Sequence, residues 1–359
     1  MTPGFPSRQE AERLLEEALP HNPGPWGDHS RVVAHCAEKI AEASGLDPDK
    51  AYVLGLLHDI GRRFGKGHLL HVYEGCRYML ELGWPDVARI CITHSYNNQD
   101  VEEEVSDTPK SPERDYVEEQ LMASPFDDYD RLIQLCDSIG MAEGIVPIEV
   151  RMNDVKRRYH KYPQPKWDKN LALKAYFEEK CGAGLYDVLG VHPFGIRPSR
   201  AEDLPDMLRI YEQARSFMKQ TGNPRQWSAE AHNGIAWPPE SVLIHDIEIG
   251  KSYVCLAGDD IVGTFFFTEG PDKTYDAIDG AWISPEPYYV VHRIASDGSR
   301  PGIGAFCLNW AYKEAGHLRI DTHGDNRPMQ NLLKKLGFQY CGIIHVEEDD
   351  DPRLAYERC

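Results

Sequence analysis

Apolar positions in the first half of the chain recur with the period of amphipathic helices, and capping residues mark where each helix begins and ends. "SRQEAERLLEEALP" puts Leu14, Leu15 and Leu19 on one face, with Ser7 as N-cap, Glu10 in the capping-box position and a proline stop. "DHSRVVAHCAEKIAEASG" runs from Asp28 as cap to a glycine stop, and "DPDKAYVLGLLHDIG" repeats the pattern with Asp47 as cap and Pro48 in the first helical position. Helices are also predicted at "HVYEGCRYMLELG", "PDVARICITHS", "YDRLIQLCDSIGMAEG" and "NLALKAYFEEKCG". The acidic stretch "NNQDVEEEVSDTPKSPERDYVEEQ" reads either as a solvated loop or short polar helix, or as a lid over a neighbouring pocket.

The pattern changes after "YDVLGVHPFGIRPSRAED", where glycines and prolines punctuate the chain, so two domains are expected, residues 1–190 and 194–359. Past the boundary comes a helix, "EDLPDMLRIYEQARSFMKQ", then β-like runs rich in branched and aromatic residues, "SYVCLAG", "DIVGTFFFTEG" and "YYVVHRIA". A helix "GAFCLNWAYKEAG", a strand "HLRIDTH", a helix "PMQNLLKKLG" and two closing strands, "FQYCGIIHV" and "RLAYER", complete a mixed α+β pattern.

Composition supports two folded units: 359 residues, 41% of them apolar, exceed what one core usually organises. A net charge of −19 makes the average field repel nucleic acid and anionic lipid, so an anionic substrate needs a metal or an arginine cluster to hold it. Nine scattered cysteines without close pairs fit a reducing compartment. The opening residues lack a signal-peptide pattern and no stretch reaches the length of a membrane span, so the expectation is a cytoplasmic protein without nucleic-acid or membrane partners.

His29, the pair His58 and Asp59, His71, His94 and Asp137 each sit on a different predicted helix or helix end. A bundle can aim such residues at one centre, and imidazoles with carboxylates but no thiolate suit iron, manganese or zinc. Taken singly, each has a structural explanation, and the order is what carries the signal: H, then HD, then H, H and D over roughly residues 20 to 160 resembles the HD-domain superfamily of metal-dependent phosphohydrolases. "HVYEG" and "ITHS" resemble the extra histidine motifs of its dinuclear members, which cleave nucleotides or dinucleoside polyphosphates. The resemblance implies one divalent ion on His29, His58, Asp59 and Asp137 and a second on His71 and His94, with Asp59 bridging. His35 and His68 are rivals, and the H-x-x-x-G spacing favours His71. Two such ions activate a shared water and neutralise a transferring phosphoryl group. Arg62, Arg63 and Lys66 are candidate phosphate contacts, or a basic turn opposing a helix dipole.

In the second half, "VVHRIASDGSRPGIGAFCLNW" joins a β-run to a helix through Gly302 and Gly304, a junction where backbone N–H groups approach an anion. With "LRIDTH" and "DNRPMQNLLKKLGF" following, this half resembles the GNAT superfamily of acetyl-CoA-dependent N-acetyltransferases from about residue 194 onward. The resemblance implies that the backbone of Ile294 and Ala295 pairs with the pantetheine arm. It also implies that Arg300 and the amides of Gly302, Ile303, Gly304 and Ala305 hold the pyrophosphate, and that Asn326 faces the thiol end. His292, Asp321 and His323 are candidate acid and base groups, or residues lining one strand face. Two positions depart from the family pattern. Ser299 stands where Gln or Arg usually opens the loop, and Leu333 where a tyrosine often protonates the thiolate.

The expected whole is therefore an all-α HD bundle followed by an α+β GNAT (acyl-CoA N-acyltransferase) fold. It would act as a bifunctional enzyme using acetyl-CoA, a small-molecule amine acceptor, two divalent metal ions, and a nucleotide or phosphorylated metabolite. The alternatives are an HD part that senses nucleotide or metal without hydrolysis, or a GNAT part that only binds CoA.

Overall fold

The computed structural model describes residues 4–65, 68–103, 105, 110–232, 234–346 and 351–359, with the backbone alone at 68, 69 and 103. The chain divides into two compact units, Met1–Pro193 and Phe194–Cys359. No described helix is long and apolar enough to cross a membrane.

The first unit is helical. Its elements are α1 (Arg8–Ala18), α2 (Trp26–Ser44), α3 (Pro48–Leu57), α4 (His68–Glu81), α5 (Pro85–Thr93), α6 (Pro112–Ala123), α7 (Asp128–Asp137), a short hairpin of β1 (Gly140–Met141) and β2 (Gly144–Ile145), α8 (Ile148–Tyr159), α9 (Gln164–Cys181) and α10 (Leu185–Leu189). The expected caps on α1 and α3 form: Ser7 Oγ accepts the Glu10 N–H, and an Asp47 carboxylate oxygen accepts from Asp49 and Lys50. Every residue from Ala51 to Leu57 is buried, so α3 is the central helix.

Two local readings need correction. Asp28 does not cap α2; the helix is already wound at Trp26, whose indole N–H donates to the Asn22 carbonyl at 2.8 Å, and Asp28 lies in its first turn. The segment after Asp137 leaves the helix and pairs as the β1–β2 hairpin, Gly140 opposite Ile145. In the acidic stretch the short-helix alternative holds for the second part, where α6 starts on a Ser111 cap and buries Val117 and Leu121. Its residues 104 and 106–109 lie outside the described set.

Two glycines bring the helices close. A Cβ on Gly55 would lie 2.9 Å from the Ala34 Cα, so α3 and α2 meet backbone to backbone. One on Gly61 would lie 1.9 Å from the His71 carbonyl oxygen and 2.5 Å from the Gly75 nitrogen. The turn after α3 thus rests directly on α4, and the rings of His29 on α2 and His58 just past α3 meet at 5.2 Å.

The second unit comprises β3 (Phe194–Pro198), α11 (Leu204–Gln220), α12 (Glu240–Glu248), β4 (Ser252–Ala257), β5 (Asp260–Glu269), β6 (Asp279–Gly280), β7 (Tyr289–Ser296), α13 (Ile303–Ala315), β8 (Leu318–His323), α14 (Arg327–Lys335), β9 (Gln339–His345) and β10 (Pro352–Arg358). The strands form one sheet in the order β3-β4-β5-β7-β8-β10-β9-β6, and only β7 and β8 run parallel. Ile303, Cys307, Leu308 and Ala311 of α13 and Leu333 of α14 pack with Cys255, Phe265 and Ile320. Met207 and Ile210 of α11 and Leu243 of α12 pack with Val254 and Ala295. Since Val254 and Cys255 are consecutive on β4, the two helix pairs cover opposite faces of the sheet.

The parallel junction is short. β7 and β8 pair only at Tyr289–Leu318 and Val290–Arg319, then separate. A bulge helps them part: Arg293 and Ile294 together oppose Phe265 alone, and Arg293 takes the left-handed region at φ 54°. That backbone is held by a 2.7 Å bond from the Tyr211 hydroxyl to the Arg293 carbonyl and by the Arg293 guanidinium on Asp246 at 2.8 Å.

Candidate functional site

In the first unit the candidate ligands come from helix ends. His29 lies in the first turn of α2, His58 and Asp59 follow the last turn of α3, His71 lies in the first turn of α4, His94 follows α5, and Asp137 ends α7. All but Asp137 are buried. His29 Nε2 lies 3.1 Å from Asp137 Oδ1, and the ligand atoms of His29, His58 and Asp137 fall within 4.8 Å of one another. Those of His58, Asp59 and His94 form a second such group. Asp59 turns one oxygen to each side. Oδ2 faces His58 Nε2 at 3.8 Å, and Oδ1 lies 3.2 Å from His71 Nε2 and 3.6 Å from His94 Nε2.

Carbonyl oxygens can only accept, which fixes two tautomers. His58 Nδ1 donates to the Gly55 carbonyl at 2.7 Å and His94 Nδ1 to the Ile90 carbonyl at 3.0 Å, so each carries its lone pair on Nε2. His58 Nε2 and Asp59 Oδ1 are both buried without a hydrogen-bond partner. Burial, with the nearby His94 and His29 rings, pushes His58 down to about 4 against the opposing pull of Asp59. Burial and Arg62 do the same to His71, again to about 4. Both rings are therefore neutral, the form that binds metal, at neutral pH. Burial opposes ionisation of Asp59, but Arg62, His58 and His71 outweigh it and hold the carboxyl well below its usual range. Two orphaned ligand atoms in a buried imidazole and carboxylate set fit divalent iron, manganese or zinc.

Around this cluster, Arg62 Nε donates to Asp59 Oδ2, while Arg63 stacks on the Tyr78 ring at 4.5 Å. Lys66 lies outside the described residues, as does the side chain of His68. His35 is exposed beside Glu38 and is not in either ligand group. The sequence reading missed Arg151 of α8, which lies 3.8 Å from Asp137 Oδ1 with its Nε buried and unpartnered. Nothing in the spacing of "VRMNDVKRRY" distinguishes it from its basic neighbours.

In the second unit the opening between β7 and β8 leads into a cavity of about 500 Å³. His292, Ile294, Ala295, Gly304, Asp321 and Asn326 all line it. Gly302 (φ 93°) precedes α13, whose first helical bond runs from Phe306 N–H to the Gly302 carbonyl, so the N–H groups of Ile303, Gly304 and Ala305 have no partner within the helix. Asn326 caps α14 by accepting the Met329 N–H, and its amide donates to Gln226 Oε1 at 3.0 Å. Arg300 pairs with Asp260 at 3.5 Å, and Ser299 is turned onto Asp297. Leu333 is fully buried in the core.

His292 Nε2 lies 2.7 Å from Asp272 Oδ2, and its Nδ1 lies 3.7 Å from Asp321 Oδ1, which accepts the Tyr275 hydroxyl at 2.9 Å. Burial opposes ionisation of Asp272, but the bond from His292 outweighs it and holds the carboxyl well below its usual range. His323 is not brought into the cavity. Its Nδ1 accepts the Asp325 N–H at 3.1 Å and its Nε2 faces Asp351 at 3.4 Å, which ties the end of β8 to the start of β10. Asp272 and Tyr275 escaped the sequence reading, and the only local signal was the Gly-Pro-Asp turn in "TEGPDKTY".

Residues 26–142 match the model of the HD domain family. No curated protein matches the chain. Among solved structures, a GNAT-family acetyltransferase from Streptococcus agalactiae is 27% identical, with 47% of this chain and 96% of that one covered and a TM-score of 0.42. An acetyltransferase from Staphylococcus aureus is 25% identical over 45% of this chain and 97% of that one, with a TM-score of 0.34. The ribosomal-protein-S18-alanine N-acetyltransferase of Escherichia coli is 13% identical over 46% and 92%, with a TM-score of 0.31. Residues 26–142 are thus similar to the HD domain family, and the solved structures that match the C-terminal part are described as acetyltransferases of the GNAT family.

Proposed function

We propose that the C-terminal unit transfers an acetyl group from acetyl-CoA to a small primary amine, and that the HD domain hydrolyses a nucleotide or other phosphate ester or anhydride. The observation that carries the first half is the opening of β7 from β8 after two paired residues. An extended ligand rich in amides can add there as a further strand, against the backbone of Ile294 and Ala295. The free N–H groups of Ile303, Gly304 and Ala305 at the start of α13 suit a pyrophosphate, helped by the helix dipole. Arg300 stands three residues before that turn, where the proposal has it exchange Asp260 for phosphate.

The HD half rests on Asp59, whose Oδ2 faces His58 and whose Oδ1 faces His71 and His94. His29, His58 and Asp137 would hold one divalent ion, His71 and His94 a second, and Asp59 both. Such ions supply Lewis acidity at phosphorus and a nucleophile at neutral pH. In this reading Arg62, Arg63 and Arg151 bind and orient phosphate oxygens, and the buried rings keep their lone pairs free at neutral pH.

The test has separate arms for the two halves. Added acetyl-CoA should raise the melting temperature, and no shift well above micromolar ligand would overturn the acetyl-transfer reading. Protein loaded with manganese or iron should release phosphate or nucleoside from a nucleotide panel. The Asp59→Ala chain should lose both that release and bound metal, and unchanged metal content would count decisively against the HD reading.

A further inference from the structure

We infer that the cavity is built for one class of acceptor, a primary ammonium on an aromatic or bulky apolar body, and that His292, positioned by Asp272, takes its proton. This deepens the acetyl-transfer reading and rests on it. A carboxylate oxygen can only accept, so the 2.7 Å contact between His292 Nε2 and Asp272 Oδ2 places the ring hydrogen on Nε2. The other oxygen of Asp272 accepts the Thr274 N–H at 2.9 Å, and its own N–H donates to the Tyr288 hydroxyl at 3.1 Å. The carboxylate is thus anchored before it orients the ring.

In the neutral ring the lone pair sits on Nδ1. That atom faces Asp321 Oδ1 across 3.7 Å, too far for a hydrogen bond and with no proton between two acceptors. An ammonium nitrogen, with three donors, can bridge such a gap. The charged or titratable groups around the ring are Asp272 from the turn after β5, Asp321 on β8, Tyr275 behind Asp321, and the Arg293–Asp246 pair reaching from the bulge to α12. Arg353 Nε lies 4.0 Å from the outer oxygen of Asp321. Carboxylates therefore dominate the faces that His292 presents.

The rest of the lining mixes aromatic with polar groups, Gln226, Thr274 and Thr322 among them, and the Arg293 guanidinium lies over the Phe266 ring at 4.5 Å. Phe266, whose ring centre is 6.2 Å from that of His292, lines the cavity with Phe217, Met218, Trp227 and Trp237, the last stacked on His232 at 5.8 Å. Among the described lining residues Asp272 and Asp321 are the only carboxylates and both face His292, so the further charges of a polyamine find no other partner among them. An aromatic body buries its area and places the cation near ring faces.

The step balances. The ammonium gives one proton to His292 Nδ1, and the freed nitrogen pair attacks the thioester carbonyl. The carbon–nitrogen bond forms, the carbon–sulfur bond breaks, and the departing thiolate takes the second nitrogen proton. Amide and CoA thiol result, and His292 returns its proton to solvent.

Steady-state thiol release by the full chain with acetyl-CoA tests this. Phenethylamine should exceed putrescine in kcat/KM by about tenfold or more, as burial of a phenyl group implies. His292→Gln should lower kcat by roughly 10²–10⁴-fold, the contribution of a positioned general base. Asp272→Asn should move the acid limb of kcat/KM to lower pH while leaving the acetyl-CoA thermal shift intact, which a merely structural role would not do. Preference for putrescine, a pH profile of Asp272→Asn that superimposes on the parent, or acetyl-CoA binding with no amine acetylated would each overturn the inference alone. Absence of acetyl-CoA binding would overturn it together with the reading beneath it.

Discussion

Arg62 donates to the carboxylate oxygen that Asp59 turns toward His58, and a cation bound there would have to displace it. A hydrogen bond to a charged group contributes about 1.5–3 kcal/mol. Arg62→Gln should therefore raise the manganese affinity of metal-free protein by about tenfold or more in calorimetric titration. Equal or weaker binding would mean that the arginine and the cation do not compete. The order of histidines and aspartates along the chain was enough to group His29, His58, Asp59, His71, His94 and Asp137, because each ends or begins a recognisable helix. What it could not carry was pairing through space. Arg62 on Asp59, Arg151 beside Asp137 and Asp272 on His292 depend on how separate elements or turns are set, and no periodicity records that.

Among elements, the turn after α3 depends on Gly61. An alanine there would press its Cβ against the carbonyl of His71 and the nitrogen of Gly75, backbone atoms that cannot rotate away. Overpacking of this kind costs about 1–3 kcal/mol. Relief would come from α4 moving outward with His71. Gly61→Ala should thus lower the denaturation midpoint and reduce bound metal from two ions toward one, with the His29, His58 and Asp137 group retained. Loss of neither, by urea titration and metal analysis, would remove the proposed link between close packing and ligand geometry. Helices with a polar cap followed by an apolar face, as in α1, or by an apolar run, as in α3, were legible in the sequence. α8 and α12 were not, since each follows a proline without a side-chain cap and buries only two residues. The β1–β2 hairpin is two residues a side, too short for any alternation to register.

At the scale of the molecule, two units share one strongly acidic chain, and 39 basic against 58 acidic residues leave anion binding to local devices. The first unit offers arginines beside its carboxylates, and the second offers helix amides. Within the second unit the sheet has unequal cohesion. β3, β4, β5 and β7 form an antiparallel block, and β8, β10, β9 and β6 form another. In the backbone ladder only two residue pairs join them, while the chain passes between the blocks on both sides of β6 and through α13 and one apolar core spans both. Opening at the seam breaks few ladder hydrogen bonds. Amides on the open edge of Val291–Ser296 should exchange with deuterium sooner than those of β4, and acetyl-CoA should slow them by completing the ladder. Equal protection with and without ligand would contradict that role. On the proposed binding mode the ligand is a missing strand of the fold, so its supply would set how cooperatively this half of the protein unfolds.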